Sequence, residues 1–154
     1  MIPRKDYLLV IIQFCLFGVF AFLNFNVSFL ENFTAKLCGY LLVSIGLLTI
    51  FFAFLQLNTN LSPFPSPKKS AVLVTSGMFN IVRHPIYAGI FGLMLGLSLI
   101  FADGFKLLIA ILVYLFFLYK SNYEEHLLTK AFPEYEIYKS SVGRFLPKLS
   151  QLKS

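Results

Sequence analysis

Tryptophan is absent from the 154 residues, cysteine and histidine occur only twice each, and acidic residues number seven. Two cysteines cannot build a disulfide scaffold, and Cys15 and Cys38, each within or beside an apolar stretch, read as small hydrophobes. Without tryptophan, aromatic anchoring at a membrane surface falls to Tyr7, Tyr119 and Tyr123. Charged residues make up 13% of the chain, where a soluble domain carries about a quarter. With 58% hydrophobic side chains, that scarcity excludes an ordinary soluble globule and a disordered segment. No Gly-x-Gly-x-x-Gly fingerprint follows a strand.

What the chain does have is long uncharged runs. Residues 7–30 and 37–57 each exceed the roughly 20 residues with which a helix crosses about 30 Å of hydrocarbon. Residues 86–102 and 105–120 form shorter third and fourth spans, with Lys106 expected to snorkel and Lys120 to mark the opposite interface. Asp103-Gly104 between them reads as a tight helix–helix turn. In lipid a segment must satisfy its own backbone hydrogen bonds, which makes these runs helices. The alternation that a barrel needs is missing. Arg4-Lys5 ahead of the first run resembles a basic leader. The apolar core is too long for one, and no small-residue cleavage pattern closes it, so a retained helix is expected.

The net charge of +6 follows from topology and not from nucleic-acid binding. Eleven Lys/Arg fall before the first span, in the central loop and from Lys120 onward, against Lys36 and Lys106 on the other side. This places both termini in the cytoplasm. The expectation is therefore an all-α, polytopic, integral-membrane protein of one domain, with about four transmembrane helices and cytosolic C-terminal amphipathic helices.

Between the spans the composition changes. Pro63, Pro65 and Pro67 stand on alternate positions and keep residues 58–69 extended and stiff, which reads as a spacer. Gly77 then permits a turn with positive φ. Arg83 and His84 lie at the membrane surface, and Pro85 suits the first turn of a helix, where its missing donor costs nothing. Gly89, Gly92 and Gly96 share one helical face and permit close helix packing, or, near Gly89, the approach of a ligand to the backbone. Beyond the fourth span, Phe132, Tyr135 and Tyr138 recur every three residues as one face of an amphipathic helix, which Pro133 breaks into two pieces. Glu124 and Glu125 point about 100° apart on a helix, so one should be functional and the other solvated or paired with Arg or Lys.

The run Gly77-x-Phe79-x-x-x-Arg83-His84-Pro85-x-Tyr87 resembles the segment entering the catalytic region of the isoprenylcysteine carboxyl methyltransferase family, itself similar to the phospholipid methyltransferases. Glu124-Glu125, Leu128, Phe132, Tyr135 and Tyr138 resemble that family's C-terminal block, with Pro133 where Gly is usual. Met78-Phe79 stands where a residue plus Tyr is common. The resemblance covers residues 73–147, and the first two spans match only as hydrophobic helices. It implies an integral-membrane methyltransferase using S-adenosyl-L-methionine, held in a cytosolic pocket formed by residues 73–89 and 121–147. A lipidic or prenylated substrate would enter laterally. Carried over residue by residue, His84, Pro85, Tyr87 and Gly89 line the cofactor side. Glu124 or Glu125 holds polar groups of the cofactor or pairs with Arg83. Arg83 and Arg144 lie nearest the reacting group, and Tyr135 and Tyr138 close the pocket.

The chemistry leaves the acceptor open. A carboxylate is already the nucleophile at neutral pH and needs orientation, which Arg supplies by a bidentate contact. An amine needs a base, for which Glu124, Glu125 or His84 would serve. Membrane sterol reductases carry a related Arg-x-Pro-x-Tyr element and use NADPH, but their Asp-Glu pair, Cys and Lys-Tyr-Gly run have no counterpart here. A non-catalytic lipid-binding protein on the same scaffold is the remaining reading. His84, His126 and Glu125 offer no ligand-spaced pair, so no metal is expected.

Overall fold

The computed structural model describes residues 2–23, 25, 27, 32–57, 62–68 and 71–148. Six helices account for most of them: α1 (Arg4–Phe22), α2 (Phe33–Leu57), α3 (Met78–Ile81), α4 (Pro85–Ile100), α5 (Gly104–Ala131) and α6 (Tyr135–Ser141). The architecture is all-α, with an isolated parallel bridge between Val82 and Gly143. Helices α1, α2 and α5 are long and apolar enough to cross a membrane, whereas α4 is a shorter apolar helix of 16 residues. Large side chains such as Phe14, Phe51 and Leu115 are exposed around the bundle. So broad an apolar belt is stable facing lipid, not water.

The helix bounds depart from the expected spans in three places. The first run of residues 7–30 is helical only to Phe22; Leu23 is extended, and the Val27 carbonyl accepts from the Gly104 N–H at 2.7 Å. Phe25 packs edge-on against Phe105. This stretch therefore covers the α4–α5 turn instead of lengthening α1, a use that apolar content alone does not distinguish from a span. Residues 24, 26 and 28–30 of the expected span lie outside the described residues. The third run ends at Ile100, because Ala102 takes a positive φ of 48°. The fourth does not stop near residue 120. At 28 residues α5 is about 42 Å long, so its second half continues past a hydrocarbon layer of about 30 Å.

Other local signals act as their chemistry dictates. Pro85 opens α4 at the first turn. Asp103 caps α5, its Oδ1 accepting from the N–H groups of Phe105 and Lys106 at 2.9 and 3.0 Å. Gly77 turns the chain with φ 59°, and the Met78 N–H there donates to Gln56 Oε1 at 2.8 Å. Lys106, expected to snorkel, instead reaches back to the Phe20 carbonyl at 2.9 Å and satisfies an open acceptor at the end of α1.

Helices α2 and α4 approach through glycine. A Cβ at Gly46 would stand 2.7 Å from the Gly89 carbonyl oxygen, and one at Gly96 would stand 2.6 Å from that of Gly39. Backbones this close are held by packing alone, the usual cohesion between helices in lipid. On the other side of α4, Phe20, Met94, Ile109, Ala110, Val113 and Phe117 join α1, α4 and α5 in one buried cluster. Gly46→Leu should force α2 from α4 and lower stability by about 1–3 kcal/mol, seen as a lower Tm in detergent. Gly18→Ala, in mid-helix with open space around it, should instead raise stability by about 0.5–1 kcal/mol in the same measurement.

Candidate functional site

The segment before α4 is extended, and its backbone is zipped to the chain after α6. Arg83 N–H donates to the Gly143 carbonyl at 2.8 Å and His84 N–H to that of Arg144 at 3.0 Å. This pairing brings residues some 60 positions apart side by side at the end of the bundle where α5 outruns the membrane. It also leaves the Arg83 side chain pointing into the space between α5 and α6.

Glu125 is the hub of that space and is 1% exposed. Its Oε1 accepts from Arg83 Nε at 3.0 Å and Nη2 at 2.9 Å, and lies 3.1 Å from His84 Nε2. Its Oε2 faces Arg144 Nη2 at 3.3 Å and Lys139 Nζ at 3.7 Å. Arg83 Nη1 meanwhile donates to the Lys139 carbonyl at 3.0 Å and to that of Val142, where α6 ends. A guanidinium there is favourable to both the open carbonyls and the helix dipole. Four hydrogen bonds thus commit Arg83 to holding the tail.

Glu124 points elsewhere. Its Oε2 accepts from the Tyr87 hydroxyl at 2.8 Å. Tyr87 in turn stacks on Phe117, with ring centroids 4.5 Å apart, and lies parallel to His84 at 5.4 Å. A cavity of about 440 Å³ opens against this layer. Its polar lining includes Arg83, His84, Tyr87, Lys120, Glu124, Tyr135 and Tyr138, and its apolar lining includes Phe14, Phe17, Phe54 and Ile90.

Tyr138 donates its hydroxyl to the Phe79 carbonyl. Burial pushes that hydroxyl up to about 12, against the pull of Arg83 and with the help of the Glu125 charge. Tyr135 is raised further, by burial and then by Glu125. Both phenols remain protonated donors at neutral pH. The Tyr135 hydroxyl, however, is buried with no partner among the described residues.

Of the residues singled out from sequence, His84, Pro85, Tyr87, Glu124, Tyr135, Tyr138 and Arg83 come together on the cavity. Three do not. Gly89 faces α2, where a Cβ would meet Ile50 at 2.7 Å and the Gly46 carbonyl at 2.8 Å, so its role is helix packing and not ligand contact. Glu125 and Arg144 stand behind the lining and position it. His126 is exposed, and no group of three His, Cys, Asp or Glu residues able to hold a metal occurs among the described residues.

Sequence patterns missed the opposite wall. Lys120, expected at the interface, is 1% exposed; its ammonium donates to Gln13 Oε1 and, at 3.0 Å, to the Pro63 carbonyl. The proline segment is no mere spacer: Pro63, Pro65 and Pro67 line the cavity. Buried Asp6 anchors the segment by accepting from the Ser66 N–H at 3.0 Å, and Tyr7 packs edge-on against Phe64. Gln13, a lone amide inside an uncharged span, was the available signal, because a polar group at that depth needs a partner.

Glu125→Ala should strand Arg83 among buried groups and cost about 3–5 kcal/mol, measured as loss of Tm in detergent. Arg144→Ala, at a partly exposed position, should cost no more than about 1 kcal/mol.

A family model described as phospholipid methyltransferase matches residues 34–135. The protein-S-isoprenylcysteine O-methyltransferase of Saccharomyces cerevisiae is 34% identical over 140 residues, which cover 86% of this chain and 58% of that protein. A nickel-cobalt-cadmium resistance protein of Alcaligenes xylosoxydans xylosoxydans is 34% identical over 98 residues, 58% of this chain and 42% of its own. A cobalt-zinc-cadmium resistance protein of Cupriavidus metallidurans is 32% identical over 94 residues, 55% of this chain and 40% of its own. The chain thus spans about half the length of the curated relatives it matches. With the match extending from α2 through the paired glutamates to Tyr135, the chain belongs to the phospholipid methyltransferase family.

Proposed function

We propose that the chain is an S-adenosyl-L-methionine-dependent methyltransferase of the membrane, acting on a lipidic or isoprenylated acceptor by carboxyl O-methylation. The observation that carries this reading is a cavity whose polar lining is drawn from both motif blocks and whose apolar lining comes from α1, α2 and α4. A small polar cofactor and an amphiphilic acceptor need such a mixed lining. Both termini and the polar lining are assigned to the cytosolic side, following the eleven basic residues there.

The residues of the polar lining suit the cofactor. The cavity volume lies within the range of about 300–1,000 Å³ typical of small-molecule sites. The unpartnered Tyr135 hydroxyl offers a buried donor. Glu124 offers a carboxylate to hydroxyl or ammonium groups, while His84, Pro85, Tyr87 and Tyr138 supply the walls. S-adenosyl-L-methionine, when bound, supplies a methyl group activated by its sulfonium. The protein's part is to hold the acceptor in line and keep the site dry. Glu125, Arg83 and Arg144 are assigned to positioning, since their charged atoms are turned to one another.

A carboxylate acceptor, with a pKa near 4, requires no proton removal, consistent with the commitment of His84 Nε2 to Glu125. N-methylation of a phospholipid amine is the alternative, with Glu124 as the base.

Transfer of labelled methyl from S-adenosyl-L-methionine to a total membrane lipid extract, followed by base treatment, separates the two. Release of label as methanol is expected. Label retained on lipid identifies an amine acceptor, and absence of any transfer overturns the enzymatic reading. Tyr135→Phe should weaken S-adenosyl-L-methionine binding about 2- to 10-fold in calorimetry, the worth of one buried hydrogen bond.

A further inference from the structure

The cavity lining carries a charge of its own. Three cations lie on the lining: Lys68, exposed on the proline segment, Arg83 and Lys120. Arg83 gives its hydrogen bonds to Glu125 and to the end of α6. Arg144, the other arginine of the motif blocks, binds Asn122 Oδ1 at 2.6 Å and Glu125, off the lining. Neither arginine presents the fork that an acceptor carboxylate would use. Lys120 differs. An ammonium has three N–H donors, and two meet the neutral acceptors Gln13 Oε1 and the Pro63 carbonyl. The third meets no oxygen or nitrogen acceptor among the described residues, although the ammonium lies 5.5 Å from the Tyr87 ring centroid.

Its place along the cavity gives that donor meaning. Lys120, Glu124 and Leu128 stand at successive helical turns of α5 and all line the space. Lys120 binds Gln13 on α1, the helix whose Phe14 and Phe17 line the same space, while Glu124, one turn along α5, accepts from Tyr87. Lys120 therefore links the carboxylate stripe of α5 to the aromatic side chains of α1, a boundary between polar and apolar lining. An amphiphile whose tail lies among those side chains places its head group at that boundary. Of the two nearby carboxylates, Glu124 accepts from the Tyr87 hydroxyl and Asp6 Oδ2 from the Ser66 N–H, while Asp6 Oδ1 is buried with no hydrogen-bond partner among the described residues.

We propose that Lys120 is the specificity residue of the acceptor subsite, its ammonium recognising an anionic head group, carboxylate or phosphate, on the amphiphile. This rests on the methyltransferase reading for its consequence in turnover, though not for its binding. Gln13 and the Pro63 carbonyl are positioning groups that aim the ammonium. A head group carrying only an ammonium is repelled at the same point.

The test compares N-acetyl-S-farnesylcysteine, its uncharged carboxamide and farnesyl phosphate, with the full chain in detergent, by calorimetry and by turnover. Lys120→Gln keeps an N–H donor for Gln13 and Pro63, so the wall is retained, and Lys120→Arg keeps the charge. The wild type should bind at least one anionic probe about tenfold more tightly than the carboxamide. Lys120→Gln should abolish that preference and raise KM with a smaller change in kcat, whereas Lys120→Arg should keep it. Preference for the carboxylate or for the phosphate identifies the head group. An unchanged preference in Lys120→Gln overturns the proposal, as does loss of S-adenosyl-L-methionine binding with the acceptor preference intact. If the wild type transfers no methyl to any acceptor, the enzymatic reading fails, and the calorimetric comparison still decides the role of Lys120.

Discussion

One buried carboxylate organises the polar end of this molecule. Glu125 faces Arg83, His84, Lys139 and Arg144, groups carried by the loop before α4, by α6 and by the chain beyond it. A lone carboxylate at this depth would be strongly unfavourable, and it is tolerated only because its partners and hydrogen bonds surround it. The reverse also holds. Without Glu125 the buried Arg83 guanidinium would lose its charge partner, and the carbonyls at the end of α6 would be held by an uncompensated cation. The fold of the tail and the shape of the cavity wall are therefore one electrostatic problem with one solution. The glycine contacts between α2 and α4 set the apolar side independently, by sterics alone.

Two adjacent glutamates on one helix take different environments for a geometric reason. The roughly 100° between successive side chains turns Glu125 toward the tail and leaves Glu124 on the stripe that includes Lys120 and Leu128. Glu125 is buried among cations, while Glu124 accepts from the Tyr87 hydroxyl, lies 3.8 Å from His84 Nδ1 and borders the cavity. The neighbours are thus divided between a buried ion network and the cavity lining. The paired appearance of the two residues in the sequence conceals that division.

Much of the fold was legible because it is written in local chemistry. Uncharged runs mark the helices, Pro85 marks the start of α4, Asp103-Gly104 the turn into α5, and Gly77 the positive-φ turn. The site was legible in part, through the two motif blocks that supply its polar lining. What escaped was non-local. Gln13 and Lys120 are 107 positions apart, and Asp6 and Ser66 are 60 apart. No periodicity links such pairs. Lys120 read as an interfacial lysine because its position at the end of an apolar run is the same whether its side chain turns outward or inward. The end of α1 at Phe22 was hidden for a related reason, since apolar residues that cover a turn look like apolar residues that continue a helix.

The family match covers residues 34–135, yet the described structure closes its cavity with residues outside that range. Asp6, Gln13, Phe14 and Phe17 on α1 form or anchor one wall, and the carbonyl of Val142 receives Arg83 at the other. The physical reason is that α2, α4 and α5 can bury one another's apolar faces but cannot by themselves satisfy Lys120 or Arg83. Arg83 finds Glu125 on α5, yet its Nη1 takes carbonyls of α6 and the chain after it, and Lys120 takes Gln13 on α1 and the Pro63 carbonyl. The ends of the described chain are drawn onto the block by those two demands, and in meeting them they enclose the space between. The cavity is thus a consequence of placing charge at the edge of the membrane, and its polar lining is what remains accessible after the structural charges have found their partners.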